Sequence, residues 1–362
     1  MPYILIIGSA HIDIIADFSQ EQANFKDKIG KLQYSVGGTA YNIAVNLSNN
    51  YYKVALFTYL RKDSLVSPMV LQRIKDSKID DRFLHFDEGL PESGFIAHRL
   101  GGRVVSAVSS MSIDSVRLDE GELAHAIEGA CFVVADCNLS AVQLSLVTKH
   151  AAEKNKRIFV SGVSEGKVKR LSDVKVPRNN PHPFEVLAMN TGEARAILGN
   201  LVDQNGRETV REICKKSKSR YVVVTQGKDG FSVYFDAGDK RSFPAPAVSN
   251  LVSATGAGDA LMAAVCAHAY ENESFDWDAC KANIDAYVTD VLGRDASTVG
   301  ALARPSELRV LPRERVAAKQ LSELQEFIGH LVHEKKDTRD WFTIVGGLAG
   351  IAGAIAAVIS VL

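Results

Sequence analysis

Short apolar runs alternate with segments of helical pattern along most of this chain, and that alternation narrows the available folds more than any other feature. Tyr3–Ile7 is a continuous apolar run closed by Gly8. Further runs of the same kind are Val54–Tyr59, Cys131–Ala135, Arg157–Ser161, Val186–Met189, Tyr221–Thr225 and Phe231–Phe235. Between them lie stretches that read as helices: Ser140–Glu153, a segment beginning near Thr191, Arg207–Lys216, and Gly256–Ala269. A strand that is apolar throughout, rather than at every second residue, is buried on both faces. Such strands joined through helices give a mostly parallel sheet with helices on both sides, an α/β fold. Residues 94–110 depart from this rhythm. They read as two extended segments about a turn at Gly101-Gly102, which predicts a small accessory sheet.

Charge and cysteine content exclude several classes. Forty-two Lys+Arg against 43 Asp+Glu give a formal net charge of −1, so no nucleic-acid partner is expected. The five cysteines contain no C-x-x-C pair, which argues against a disulfide framework or a zinc site. The last segment differs from the rest. Trp341–Leu362 is 22 residues without a charge, preceded by Lys335, Lys336 and Arg339. A transmembrane helix needs about 20 apolar residues, so 339–362 is expected to be a transmembrane helix. The flanking positive charges would place the body on the cytoplasmic face of a membrane, with a single-pass C-terminal anchor. Residues 311–338 read as a helical linker, with Leu321, Leu324, Ile328 and Leu331 in helical spacing.

The strongest chemical signal is Ser253–Ala260, with Thr255, Gly256, Ala257, Gly258 and Asp259 in series before an apolar helix. Small residues let a backbone approach a ligand closely. Amides at a helix N-terminus favour phosphate. A carboxylate beside such a nest is placed to take a proton from an attacking hydroxyl. A favourable first-turn acid with turn-shaping glycines is the plainer reading of the same residues.

Thr-Gly-Ala-Gly-Asp-Ala at 255–260 resembles the C-terminal signature of the PfkB, or ribokinase-like, carbohydrate kinase family. Four more elements match in order: Gly8–Asp13, the di-glycine stretch Gly37–Asn42, the N-x-x-E element Asn190–Glu193, and the T-x-G-x-x-G loop Thr225–Gly230. Five elements across about 300 residues are specific together, whereas each alone is weak.

The resemblance implies a ribokinase-like three-layer sandwich over 1–310, with a small β-sheet lid drawn from within 8–36 and 92–112. It implies ATP as donor and Mg²⁺ as cofactor. Asp13 and Asn42 would hydrogen-bond acceptor hydroxyls, with Gly37 and Gly38 letting the backbone approach. Thr225, Gly227, Gly230 and Thr255 would hold nucleotide. Asn190 and Glu193 would organise the metal, although the same pair also fits an ordinary helix cap. Asp259 would be the base and the Gly256, Ala257 and Gly258 amides the anion site. Ser253 stands where the family usually has Asp, which removes the carboxylate on which a monovalent cation commonly relies. Gly94–Ala97, Ser106–Asp114 and Asp136–Ser140 look like pseudouridine kinases, so Asn138 joins the acceptor group and the expected acceptor is the 5′-type hydroxyl of pseudouridine or a related nucleoside. Ribose or another sugar is an alternative. A membrane-anchored effector or signalling protein that senses a nucleoside is another. The family also implies a homodimer or higher homo-oligomer.

Overall fold

In a computed structural model, residues 2–300 are described apart from 20–25, 102, 273, 295–297 and 299. The expected linker at 311–338 and membrane span at 339–362 lie outside the described residues. Among the described residues no helix is long and apolar enough to cross a membrane.

The chain runs β1 (Tyr3–Ile7), β2 (His11–Phe18), β3 (Gly30–Gly37), α1 (Thr39–Ser48), β4 (Val54–Arg61), α2 (Ser67–Asp76), β5 (Leu84–Asp87), β6 (Gly94–Leu100) and β7 (Arg103–Ser110). It continues with α3 (Glu120–Gly129), β8 (Ala130–Asp136), α4 (Ala141–Glu153), β9 (Ile158–Ser161), α5 (Glu165–Val168), β10 (Phe184–Asn190), α6 (Thr191–Leu198) and α7 (Arg207–Lys216). It closes with β11 (Ser219–Thr225), β12 (Phe231–Phe235), β13 (Lys240–Phe243), α8 (Ala257–Glu271) and α9 (Trp277–Leu292). Nine strands form one sheet in the order β13-β12-β11-β10-β9-β8-β1-β4-β5. From β11 to β5 every pairing is parallel, and β12 and β13 add antiparallel at one edge.

The continuous apolar strands have the predicted cause. In β1, Ile4 and Ile6 pack into one core while Leu5 and Ile7 pack into the other, and all four are fully buried. Side chains α1, α2, α8 and α9 cover the first face, and α3, α4, α6 and α7 the second. A strand with no solvent-facing side cannot alternate polar and apolar residues.

The accessory sheet is larger than the 94–110 hairpin alone. It has four strands in the order β3-β2-β6-β7. The β6–β7 hairpin forms as expected, and β2 pairs in parallel with β6 across a long sequence separation. All parallel strands of the large sheet point their carboxyl ends the same way. Gly8, Asp136, Ser161, Asn190 and Thr225, at or just beyond the ends of β1, β8, β9, β10 and β11, therefore share one rim. In open α/β sheets that rim is where ligands bind.

Candidate active site

A cleft of about 910 Å³ opens along this rim. Its lining includes Asn190 and Glu193 from the start of α6, Thr225, Gly227 and Gly230 from the β11–β12 turn, and Gly256–Asp259 from the start of α8. Apolar side chains line it too, among them Phe231, Val248, Leu251, Ile284 and Val288. Thr39 of the di-glycine stretch lines it as well, so four of the five sequence elements meet in one cavity, from positions up to 220 residues apart.

The α8 terminus carries no side-chain cap. Gly256 is its N-cap, in the left-handed region at φ 83°. A Cβ on Gly258 would meet nothing within 4 Å, so this glycine borders open space. Uncapped amides at a helix start with room above them favour negative charge. Thr255 differs from expectation: it is exposed, outside the cleft lining, and its amide bonds to the Ser253 hydroxyl at 3.2 Å.

Asp259 sits one turn further in. Asn42, on α1, donates from Nδ2 to Asp259 Oδ2 at 2.8 Å. No described residue donates to Oδ1. Burial pushes this carboxyl from an ordinary 3.8 up to about 7. The Asn42 bond opposes the shift, and negative charge on Asp136, Glu193 and Asp13 reinforces it. A carboxyl that titrates near neutrality, with one oxygen free, suits proton abstraction. Asn42, expected on the acceptor, holds one oxygen of the Asp259 carboxyl.

Asn190 and Glu193 form a complete capping box. The Glu193 amide bonds to Asn190 Oδ1 at 2.9 Å, and the Asn190 amide bonds to Glu193 Oε2 at 3.0 Å. Asn190 Nδ2 also reaches Glu193 Oε1 at 2.7 Å. Burial, with help from the Glu165 charge, raises the Glu193 carboxyl. The capping reading and the cleft reading hold together: both residues line the cavity, and both carboxylate oxygens are already engaged. Likewise Gly227 and Gly230 make the tight turn between β11 and β12, at φ 61° and 89°, while lining the cleft.

The di-glycine step has a different cause from the one expected. A Cβ on Gly37 would lie 2.2 Å from Asp13 Oδ2, and one on Gly38 would lie 2.4 Å from the Ser9 carbonyl. The space these residues leave empty is taken by Asp13 and Ser9. Their bareness shapes the loop around a carboxylate, and Gly38 also needs its φ of 114°.

Asn138 is likewise committed elsewhere. It is buried, donates to the Ser9 hydroxyl at 2.7 Å, accepts from Lys167, and takes no part in lining the cleft. Beside it is a residue to which the motifs assign no role. Asp136 is buried and accepts from the Ser9 amide at 3.0 Å, the Ser9 hydroxyl at 3.2 Å, the Ala40 amide at 3.1 Å and the Asn138 amide at 2.8 Å. It ties the end of β1, the start of α1 and the end of β8 into one unit. The one local sign of it is Gly8, where a Cβ would fall 2.5 Å from the Asp136 carboxyl.

Comparison with known proteins supports the same assignment. A family model described as pfkB family carbohydrate kinase matches residues 1–282. Pseudouridine kinase from Escherichia coli (strain K12) is 31% identical over 267 residues, covering 72% of this chain and 82% of that protein. Among solved structures, ribokinase from Giardia lamblia superposes with a TM-score of 0.70 at 16% identity, over 82% of this chain and 96% of that one. Ribokinase from Arabidopsis thaliana, complexed with ribose and ATP, gives 0.69 at 15% identity, over 83% and 96%. At those identities the structural likeness speaks for the fold alone.

Proposed function

This chain belongs to the pfkB family of carbohydrate kinases, and we propose that it transfers the terminal phosphoryl group of ATP to the 5′-type hydroxyl of pseudouridine or a closely related nucleoside. The observation that carries the reading is the junction at the start of α8. There an uncapped helix terminus and a carboxyl with one free oxygen, pushed up to about 7, open into one cavity. The pseudouridine kinase relative supports the choice of acceptor.

The chemistry follows from these residues. Asp259 Oδ1 would accept the proton of the incoming hydroxyl as its oxygen bonds to the terminal phosphorus and the bond from that phosphorus to the bridging oxygen breaks, releasing ADP, with Asn42 holding the other carboxylate oxygen. The Gly256 and Gly258 amides would face the negative charge of the transferring group, while the Ala257 amide donates to the Ala254 carbonyl at 3.4 Å. The apolar lining, Phe231 and Val288 among it, suits a purine ring. Among the described residues no three His, Cys, Asp or Glu side chains converge on a metal position. That fits magnesium, which is commonly held by one or two carboxylates, waters and substrate phosphates rather than by an all-protein cage. Glu193 and Asn190 would hold it through water. Its chemistry there is neutralisation of phosphate charge. Asp13, half-buried in the lid sheet, would bond an acceptor hydroxyl.

An acceptor panel tests the proposal. With ATP and magnesium, phosphate transfer to pseudouridine should exceed transfer to ribose, adenosine and fructose by at least about tenfold in kcat/KM, the scale set by one or two hydrogen bonds. Preference for ribose would replace the nucleoside reading with the sugar-kinase one.

The proposal extends to 339–362 as a membrane anchor that holds the kinase at the cytoplasmic face. Its support is the uncharged stretch Trp341–Leu362 behind basic residues. The full chain should sediment with membranes and resist high-salt washing. Recovery in the soluble fraction would reject the anchor without touching the kinase assignment.

A further inference from the structure

The acceptor-binding carboxylate has a neighbour that none of the motif assignments uses. His11 and Asp13 are two apart on β2, so their side chains emerge on the same face of the lid sheet. Across the ladder they pair with Gly37 and Ser35 of β3. His11 is 7% exposed. Its Nε2 lies 3.0 Å from Asp13 Oδ1. Its Nδ1 is buried and makes no hydrogen bond among the described residues. Among the described residues Asp13 is the charged group within reach of the ring.

The second carboxylate oxygen is held by shape rather than by a bond. Oδ2 lies over Gly37, where a Cβ would approach to 2.2 Å. One oxygen thus faces an imidazole and the other faces bare backbone. No described residue donates to Oδ2, which leaves it for a ligand hydroxyl. Electrostatics gives the ring a second task. Asp13, Asp136 and Glu193 all act on Asp259 as negative charges, so four carboxyl groups share this region. Where its Nε2 carries a proton, the imidazole sets positive charge density against Asp13 Oδ1 and offsets that repulsion at the carboxylate lying in the lid.

We propose that His11 is a positioning residue for acceptor binding: its ring fixes the Asp13 carboxylate so that Oδ2 meets the acceptor hydroxyl. This rests on the reading of Asp13 as an acceptor ligand given above. The role is one of orientation, so it should appear in acceptor KM and leave the phosphoryl-transfer machinery at α8 intact.

The test is a double-mutant cycle on the full chain, using whichever acceptor the panel shows to be phosphorylated. His11→Phe keeps a planar ring and removes the ring nitrogens. It should raise acceptor KM about ten- to thirtyfold, the scale of a lost charge-assisted contact, with ATP KM unchanged and kcat within about threefold. His11→Gln, which restores a donor, should recover most of that loss. Asp13→Ala should raise acceptor KM by more, and His11→Phe added to Asp13→Ala should cost nothing further. Losses that multiply in the double variant would overturn the inference, because His11 would then act independently of Asp13. So would a His11→Phe enzyme with normal acceptor KM, or one whose ATP KM and melting temperature deteriorate along with it. An Asp13→Ala enzyme with unchanged acceptor KM would instead reject the acceptor role of Asp13. The two failures are therefore distinguishable.

Discussion

Asp259→Asn is expected to lower turnover by about 10²–10⁴-fold, the usual contribution of a positioned general base. The substitution is nearly isosteric and keeps an oxygen for the Asn42 amide, so the 2.8 Å brace survives in the variant. ATP binding at the α8 terminus should be retained or improved, because a negative charge beside the phosphates has gone. The pH dependence gives an independent check. The carboxyl is raised to about 7 in the folded protein, so kcat/KM should fall about tenfold per unit as pH drops below that value. The residual activity of Asp259→Asn should be flat over the same range. Stability should move in the opposite direction to activity. An acid whose folded value lies above its ordinary 3.8 binds more protons folded than unfolded between those two values, so it costs stability as pH rises through the interval. Asp259→Asn removes that cost. Its melting temperature relative to the native protein should therefore be higher at pH 8 than at pH 4. Unchanged turnover in Asp259→Asn would end the assignment of the base.

That pairing of Asn42 with Asp259 also shows where sequence reading stops. The two residues stand 217 positions apart, and each belongs to a motif that is readable locally. The glycines and the acid of 256–259 mark a helix start by their types and spacing, and the resemblance to the kinase family is what points that start at phosphate. No local pattern says that the di-glycine helix supplies the brace for that acid. Gly37 is a sharper case. A glycine at that point is visible in the sequence, but the group that fills its missing side chain, Asp13, is brought there by β2–β3 register. Asp136 reads as an ordinary acid at a strand end, and its four donors come from three separate elements.

The fold divides in the same way. The strands of the large sheet are recognisable because both faces are buried, which leaves continuous apolar runs. Of the lid strands, β6 and β7 are legible as a hairpin about the Gly101 turn, whereas β3 is not. Gly30–Gly37 is exposed over most of its length, so burial imposes no pattern on it, and its place in the sheet follows from pairing with β2. The helix α9 falls between these cases. The sequence reading assigns no helix there, although its buried residues Trp277, Cys280, Ile284, Val288 and Val291 follow helical spacing.

Gly258→Ala separates the requirements of the fold from those of the reaction. The residue lies in the first turn of α8, and a Cβ there meets nothing within 4 Å. Alanine is about 0.5–1 kcal/mol better than glycine inside a helix, so the folded protein should gain stability or stay unchanged. The added methyl projects into the open space beside the uncapped amides, where the reading above places the transferring phosphoryl group. A displacement of about 1 Å at the reacting centre commonly costs ~10²-fold. Gly258→Ala should therefore melt at or above the native temperature while kcat/KM for ATP falls by about a hundredfold. Gly199→Ala provides a contrast. Its side-chain space is equally open, but its φ is 60°, and it caps α6 outside the cleft lining. That substitution should lower the melting temperature and leave kcat/KM near native. A Gly258→Ala enzyme with native kinetics would show that the space above the α8 terminus is not where phosphate sits.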